Sequence, residues 1–153
     1  MTSVLIAYSD TGGGHRSAAI ALEEALRLER PDVATTLIDP FAACPRWPFR
    51  SLSSMYPHLI DSAAWLWHAG FTLTNTPHRT ALCQKLAWPA LRATFRAIAA
   101  AHTPDVVVST HPLLTESLRR AFPTIPIVVV VTDLISGHAS WYNRRVEFKV
   151  INE

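Results

Sequence analysis

The sequence predicts an α/β fold, an open parallel sheet with helices on both faces. Three observations carry that prediction. Short apolar runs of strand-forming residues recur at Val4 to Tyr8, Asp105 to Ser109 and Ile127 to Thr132; such unbroken runs suit strands covered on both sides. Stretches of helical periodicity separate them, giving the strand–helix–strand rhythm of parallel crossovers. Polar segments bearing glycine or histidine follow directly after the strands, where open α/β sheets bind ligands. A length of 153 residues suits one compact domain with a core of its own.

Taken in order, Val4 to Tyr8 reads as a buried strand and Ser9 to Gly14 as a turn. An amphipathic helix follows, with Ala18, Leu22, Ala25 and Leu26 on one face. It must stop before Pro31, because the residue ahead of a proline is driven out of helical geometry. Ala34 to Asp39 reads as a second strand, ended by Pro40. Phe41 to Ser54, rich in proline and serine, reads as an irregular loop. Tyr56 to Phe71 has helical character with few charges, and Arg79 to Ala101 is helical with a kink expected at Pro89. In that second helix Leu91, Phe95 and Ile98 share one face and Arg92 and Arg96 another. Asp105 to Ser109 is a third strand, Leu113 to Phe122 a short helix, Ile127 to Thr132 a fourth strand and Val146 to Ile151 a fifth.

Composition excludes several classes. Hydrophobic residues make up 49% and charged residues 17%, too apolar a balance for a disordered chain. Cys44 and Cys83 match no metal or redox spacing and read as thiols in a reducing compartment. The start MTSVLIAYSD lacks a basic leader, and no stretch approaches the roughly 18 apolar residues of a spanning helix. The expectation is a cytoplasmic protein, peripheral on the inner face of the membrane. Basic charge without a recognised motif argues against nucleic acid as a partner.

The segments after the strands hold the candidate site. The first is Ser9-Asp10-Thr11-Gly12-Gly13-Gly14-His15. Glycines there permit positive φ and close approach of a ligand to the backbone, and the helix behind them presents free N–H groups to an anion. No Gly-Lys-Ser/Thr follows, so this is not a Walker loop, and Ser17 stands where a dinucleotide fingerprint needs its third glycine. His15, at a helix N-terminus, has its charged form disfavoured by the helix dipole, which suits a general base. The second segment is Ser109-Thr110-His111-Pro112, and the third runs from Thr132-Asp133 into Gly137-His138-Ala139-Ser140-Trp141. His15, His111 and His138 could meet in one cleft, with Asp133 orienting a base or capping a turn.

Residues 41–104 form an unusual insert. Six basic residues there (Arg46, Arg50, Arg79, Lys85, Arg92 and Arg96) face a single acid, Asp61, and four of the five tryptophans lie in the same stretch. Tryptophan favours the headgroup layer, and each basic residue adds about 1 kcal/mol near an anionic surface. Trp47, Trp65, Trp67 and Phe71, with Arg46 and Arg50, are therefore the expected contacts with anionic membrane lipid, as a wedge that lies on the bilayer without crossing it.

Together SDTGGGHRSAA, STHP and VTDL…GHASWYN resemble the corresponding motifs of monogalactosyldiacylglycerol synthases and the related bacterial diacylglycerol glucosyltransferases, inverting enzymes of glycosyltransferase family 28. The resemblance runs from about Val4 to Asn143. It implies the N-terminal, Rossmann-like half of a GT-B fold and a transfer of hexose from a UDP-sugar to diacylglycerol, with no cofactor and no essential metal. It also implies that Gly12, Gly13 and Gly14 line a cleft between two domains and that His15 is the base or its close partner. Asp133, His138 and Trp141 would shape the acceptor side, beside Thr110 and His111. Such enzymes continue into a C-terminal nucleotide-sugar domain where this chain reaches Glu153. The expectation is thus a single acceptor- and membrane-binding domain over 1–153, without the UDP-sugar domain, that binds lipid but does not catalyse transfer alone.

Two other readings compete. A stand-alone lipid-binding module would need no catalytic base. A small nucleotide-binding protein would need an acid after the second strand to read a ribose, and Asp39 is placed for that.

Overall fold

The computed structural model describes residues 2–11, 13–133, 137–142 and 146–151. Five strands, β1 (Thr2–Ala7), β2 (Val33–Ile38), β3 (Val106–Ser109), β4 (Ile127–Val131) and β5 (Phe148–Ile151), form one sheet in the order β2-β1-β3-β4-β5. Every pairing is parallel. The helices are α1 (Gly14–Glu29), α2 (Leu52–Thr74), α3 (Pro77–Ala101) and α4 (Thr115–Ala121). The predicted α/β class holds, as an open Rossmann-like sheet. The chain leaves β1 toward β2 on one side and returns to β3 on the other, so the order reverses between β1 and β3. A crevice opens at such a reversal, beyond the carboxyl ends of the strands.

Alternation along the strands sorts the core into two layers. Leu5 and Ala7 of β1 join Val107, Ile127 and Val129 under Leu91 and Phe95 of α3 and Leu118 of α4. Val4 and Ile6 point the other way, where Ala19, Leu22 and Leu26 of α1 cover them. A side chain as fully buried as Phe95 contributes about 1.5–3 kcal/mol. Helices do lie on both faces, but cover is uneven. In β4, buried Ile127, Val129 and Val131 alternate with half-buried Val128 and Val130, so the α1 face thins out toward that edge.

Local chemistry sets the element ends. Gly13 precedes α1 with φ of 79°, a left-handed conformation that glycine adopts without strain. Thr76 caps α3 by accepting from the Arg79 N–H, and Pro77 sits at the first helical position, where a missing N–H costs nothing. Arg119 pins the far edge: its Nη1 donates to the carbonyls of Phe122, Pro123 and Ile125, and its Nη2 to Glu147. Glu147 in turn accepts from the Ile127 N–H at 2.7 Å, tying the entry of β5 to the start of β4.

One expectation is corrected. Residues 41–54 are not all loop, because a 3-10 turn spans Phe49–Ser51 and α2 begins at Leu52. The helix α3 runs on through Pro89. A break lies in α2, at Ala63 (φ −146°, ψ 44°). Among the described residues no helix is long and apolar enough to cross a membrane.

Candidate functional site

The ends of β1, β3 and β4 converge at the reversal point and place His15, His111, Thr132 and Asp133 around one cavity, with Thr110 buried behind His15 rather than lining it. Its volume is about 820 Å³. The polar side is formed by Thr11, His15, His111, Thr132, Asp133, His138 and Ser140. The opposite wall is the inner face of α2, which contributes Tyr56, Leu59, Leu66, Trp67, Gly70 and Phe71. On either side of the Ala63 break these positions lie three or four residues apart (Tyr56 and Leu59; Leu66, Trp67, Gly70 and Phe71), so each half of α2 turns one side to the cavity. A floor of strand-end hydrogen-bonding groups thus faces a hydrocarbon wall.

His15 is the best-defined group. Its Nδ1 lies 2.9 Å from the carbonyl oxygen of Thr110 and 2.8 Å from Thr132 Oγ1. A carbonyl can only accept, so Nδ1 carries the proton and Nε2 is left with its lone pair. Thr110 Oγ1 donates back to the His15 carbonyl at 2.9 Å, locking ring and backbone together. Burial pushes the His15 imidazole below its ordinary value; the charge of Asp133 and the bond to Thr110 pull the other way. Desolvation is thus the leading cause favouring the neutral ring, the same form the helix-dipole argument expects.

The other two histidines are differently placed. His111 Nδ1 accepts from the Leu113 N–H at 3.3 Å, so Nε2 carries hydrogen and donates to Thr11 Oγ1 at 3.0 Å. Its ring meets His15 edge to face at 4.5 Å. Burial, reinforced by His15, holds it well below the usual histidine range. His138 Nδ1 accepts from the Ser140 N–H, and its Nε2 then donates to Thr74 Oγ1 at 3.0 Å. With Asn75 Oδ1 accepting from the Ala139 N–H, this clamps the end of α2 to the 137–142 segment. Both nitrogens of His138 are engaged, so it holds the wall rather than offering a lone pair.

Asp133 is exposed, and its Oδ2 accepts from Trp141 Nε1 at 2.6 Å. Trp141 is fully buried in the core beneath the site, which makes it a strut for Asp133 and the His15 ring, 6.0 Å away, rather than cavity lining. Gly13 and Gly14 are exposed and flank His15 without lining the cavity; Gly12 lies outside the described residues. No cluster of three or more metal-ligating side chains occurs among the described residues. The ribose-reading role for Asp39 does not fit. Its carboxylate already accepts from the backbone N–H groups of Asp10, Phe41 and Ala42, which makes it a turn-forming group.

The expected membrane contacts divide in two. Trp47 and Trp65 are 75% and 73% exposed, and Arg46 and Arg50, next to Trp47 in sequence, are exposed too. Trp67 and Phe71 line the cavity, where Tyr56 packs edge-on against Trp67 and Phe71 against His138. Sequence reasoning missed Thr74, Asn75 and the inner stripe of α2. The three- and four-residue spacing within each half of α2 was the available signal for the stripe. Nothing local announces Thr74, whose partner lies 64 residues on.

The sequence model of the monogalactosyldiacylglycerol (MGDG) synthase family matches residues 15–152. A probable monogalactosyldiacylglycerol synthase 2 of rice (Oryza sativa subsp. indica) is 32% identical across 94% of this chain and 32% of its own length. Monogalactosyldiacylglycerol synthase 3 of Arabidopsis thaliana is 29% identical with the same coverage. The spinach synthase is 30% identical over 94% of the chain and 28% of its own. These relatives are described as chloroplastic. The chain spans about a third of the length of the curated relatives it matches.

Proposed function

The chain belongs to the monogalactosyldiacylglycerol synthase family, and from that premise we propose that it forms the acceptor-binding, membrane-facing domain of an enzyme that makes a galactolipid. The acceptor is diacylglycerol, the donor a UDP-sugar, and the donor site belongs to a C-terminal nucleotide-sugar domain. The observation that carries the reading is the two-sided cavity: an unprotonated imidazole nitrogen on its polar floor and an apolar helix as its wall. A lipid alcohol has the same two sides.

In the proposed step the acceptor hydroxyl donates its hydrogen bond to His15 Nε2. As the hydroxyl oxygen bonds the anomeric carbon, Nε2 takes the proton, and the bond from that carbon to the diphosphate breaks on the opposite face, inverting the centre. UDP leaves with the electron pair. Asp133 stabilises the imidazolium that forms, since its charge already favours the protonated ring. Thr110 and Thr132 hold Nδ1, so the ring cannot turn the wrong nitrogen to the substrate. The domain sits on the membrane surface through Trp47, Trp65, Arg46 and Arg50.

The test is sugar transfer by a two-domain enzyme carrying this domain. His15→Gln lowers kcat by about 100-fold or more, the usual worth of a general base, with little change in KM for diacylglycerol. A His15→Gln enzyme of near-parental kcat removes the base from this reading.

A further inference from the structure

A second cavity of about 260 Å³ lies between α3, α4 and the segment before α2. Its apolar lining comes from Phe41, Phe49, Ala87, Leu91 and Leu113. It shares Thr74, Leu113 and His138 with the larger cavity, so one thin ridge divides the two. The polar groups of that ridge are spent inside the protein: Thr74 Oγ1 donates to the Gly70 carbonyl and receives His138, while Thr80 Oγ1 donates to the Thr74 carbonyl. This second cavity opens toward solvent at Cys83, where Gln84 also lines it, while Phe41, Phe49, Ala87 and Leu91 leave its walls largely apolar; hydrocarbon entering it removes that apolar surface from water.

We propose that this second cavity is an acyl-chain slot, and that the two chains of the acceptor part around the Thr74–His138 hydrogen bond. The inference rests on the acceptor reading above. Diacylglycerol carries its chains on adjacent carbons, so two slots that serve it must open from neighbouring points, as these do across a shared ridge. One chain lies along the inner stripe of α2 in the larger cavity, with the hydroxyl at His15. The other passes Leu113 and ends against Ala87 and Leu91. A monoacylglycerol uses the larger cavity alone. The second slot thereby selects lipids with two chains.

Cys83 supplies a direct probe. It lines the second cavity and is exposed, whereas Cys44, the other cysteine of the chain, is buried. Alkylation of Cys83 by N-ethylmaleimide is timed with 1,2-dioctanoylglycerol or 1-monooctanoylglycerol below their micelle concentrations, while the His15 imidazole resonance reports the first cavity. At about ten times its Kd, dioctanoylglycerol slows alkylation about tenfold and shifts His15; monooctanoylglycerol shifts His15 and leaves the alkylation rate unchanged. Ala87→Phe, which fills the slot, weakens dioctanoylglycerol binding about tenfold or more and spares monooctanoylglycerol; if it fails to fold, the Cys83 rates in the parent decide. A His15 shift by dioctanoylglycerol without Cys83 protection, or equal protection by both lipids, overturns the slot. Absence of any His15 shift instead overturns the acceptor reading on which the slot rests.

Discussion

His15 is fixed by three contacts that no single stretch of sequence contains: a carbonyl at Thr110, a hydroxyl at Thr132 and the opposing charge of Asp133. The glycine turn made its position legible; its tautomer was not, because the deciding carbonyl is 95 residues away. The same packing has a thermodynamic consequence. His15, His111 and His138 are all held below the ordinary histidine range by burial. In the unfolded chain each titrates near the ordinary histidine value of about 6.5. Below that pH the unfolded state therefore binds more protons than the folded one, and stability falls with acidification. The window opens near 6.5 and extends down to the depressed folded values; above it the effect is flat. Buried His111 alone contributes a slope of up to about 1.4 kcal/mol per pH unit. Urea unfolding at pH 7.5 and 5.5 checks the sign: the midpoint drops at the lower pH, and a midpoint that rises contradicts the buried neutral histidines. In a two-domain enzyme running the proposed transfer, the acid limb of kcat/KM is expected below 6.5, because burial holds the His15 imidazole down.

At the scale of the element, α2 is the anomaly. No residue of it is buried, yet it is apolar on both sides. Its inner stripe lines the cavity, and its outer side exposes Met55, Trp65 and Leu73. A helix apolar all round is stable in water only when something covers it. From the sequence the tryptophans and Phe71 are expected to share one interfacial face. Trp67 and Phe71 belong to the inner stripe, because a helix divides neighbours in sequence between opposite sides. The account separates the two roles by mutation. Trp47→Ala with Trp65→Ala abolishes co-sedimentation with anionic vesicles and leaves dioctanoylglycerol binding below the micelle concentration intact. Vesicle binding that survives both substitutions places the membrane face elsewhere.

At the scale of the whole molecule, the sequence carried the fold class, the five strands and the three polar strand ends, since apolar runs and their polar tails are local signals. The order β2-β1-β3-β4-β5 was not local. It depends on which side of β1 each crossover returns to, and that return brings the end of β1 beside the end of β3. Thr110 and His111 meet His15 there for topological reasons rather than through proximity in the chain. The end of β4 completes the floor with Thr132 and Asp133, and α2 is clamped over it by His138 and Asn75. The central claim is that the lipid hydroxyl docks on the unprotonated nitrogen of this assembly. Its most direct test is nitrogen-15 NMR of the His15 side chain, with dioctanoylglycerol and then with trioctanoylglycerol, which lacks a free hydroxyl. The account predicts the neutral Nδ1–H form in the free protein and a shift of the Nε2 resonance with the diacylglycerol only. A ring protonated on Nε2, or an Nε2 that responds alike to both lipids, contradicts it.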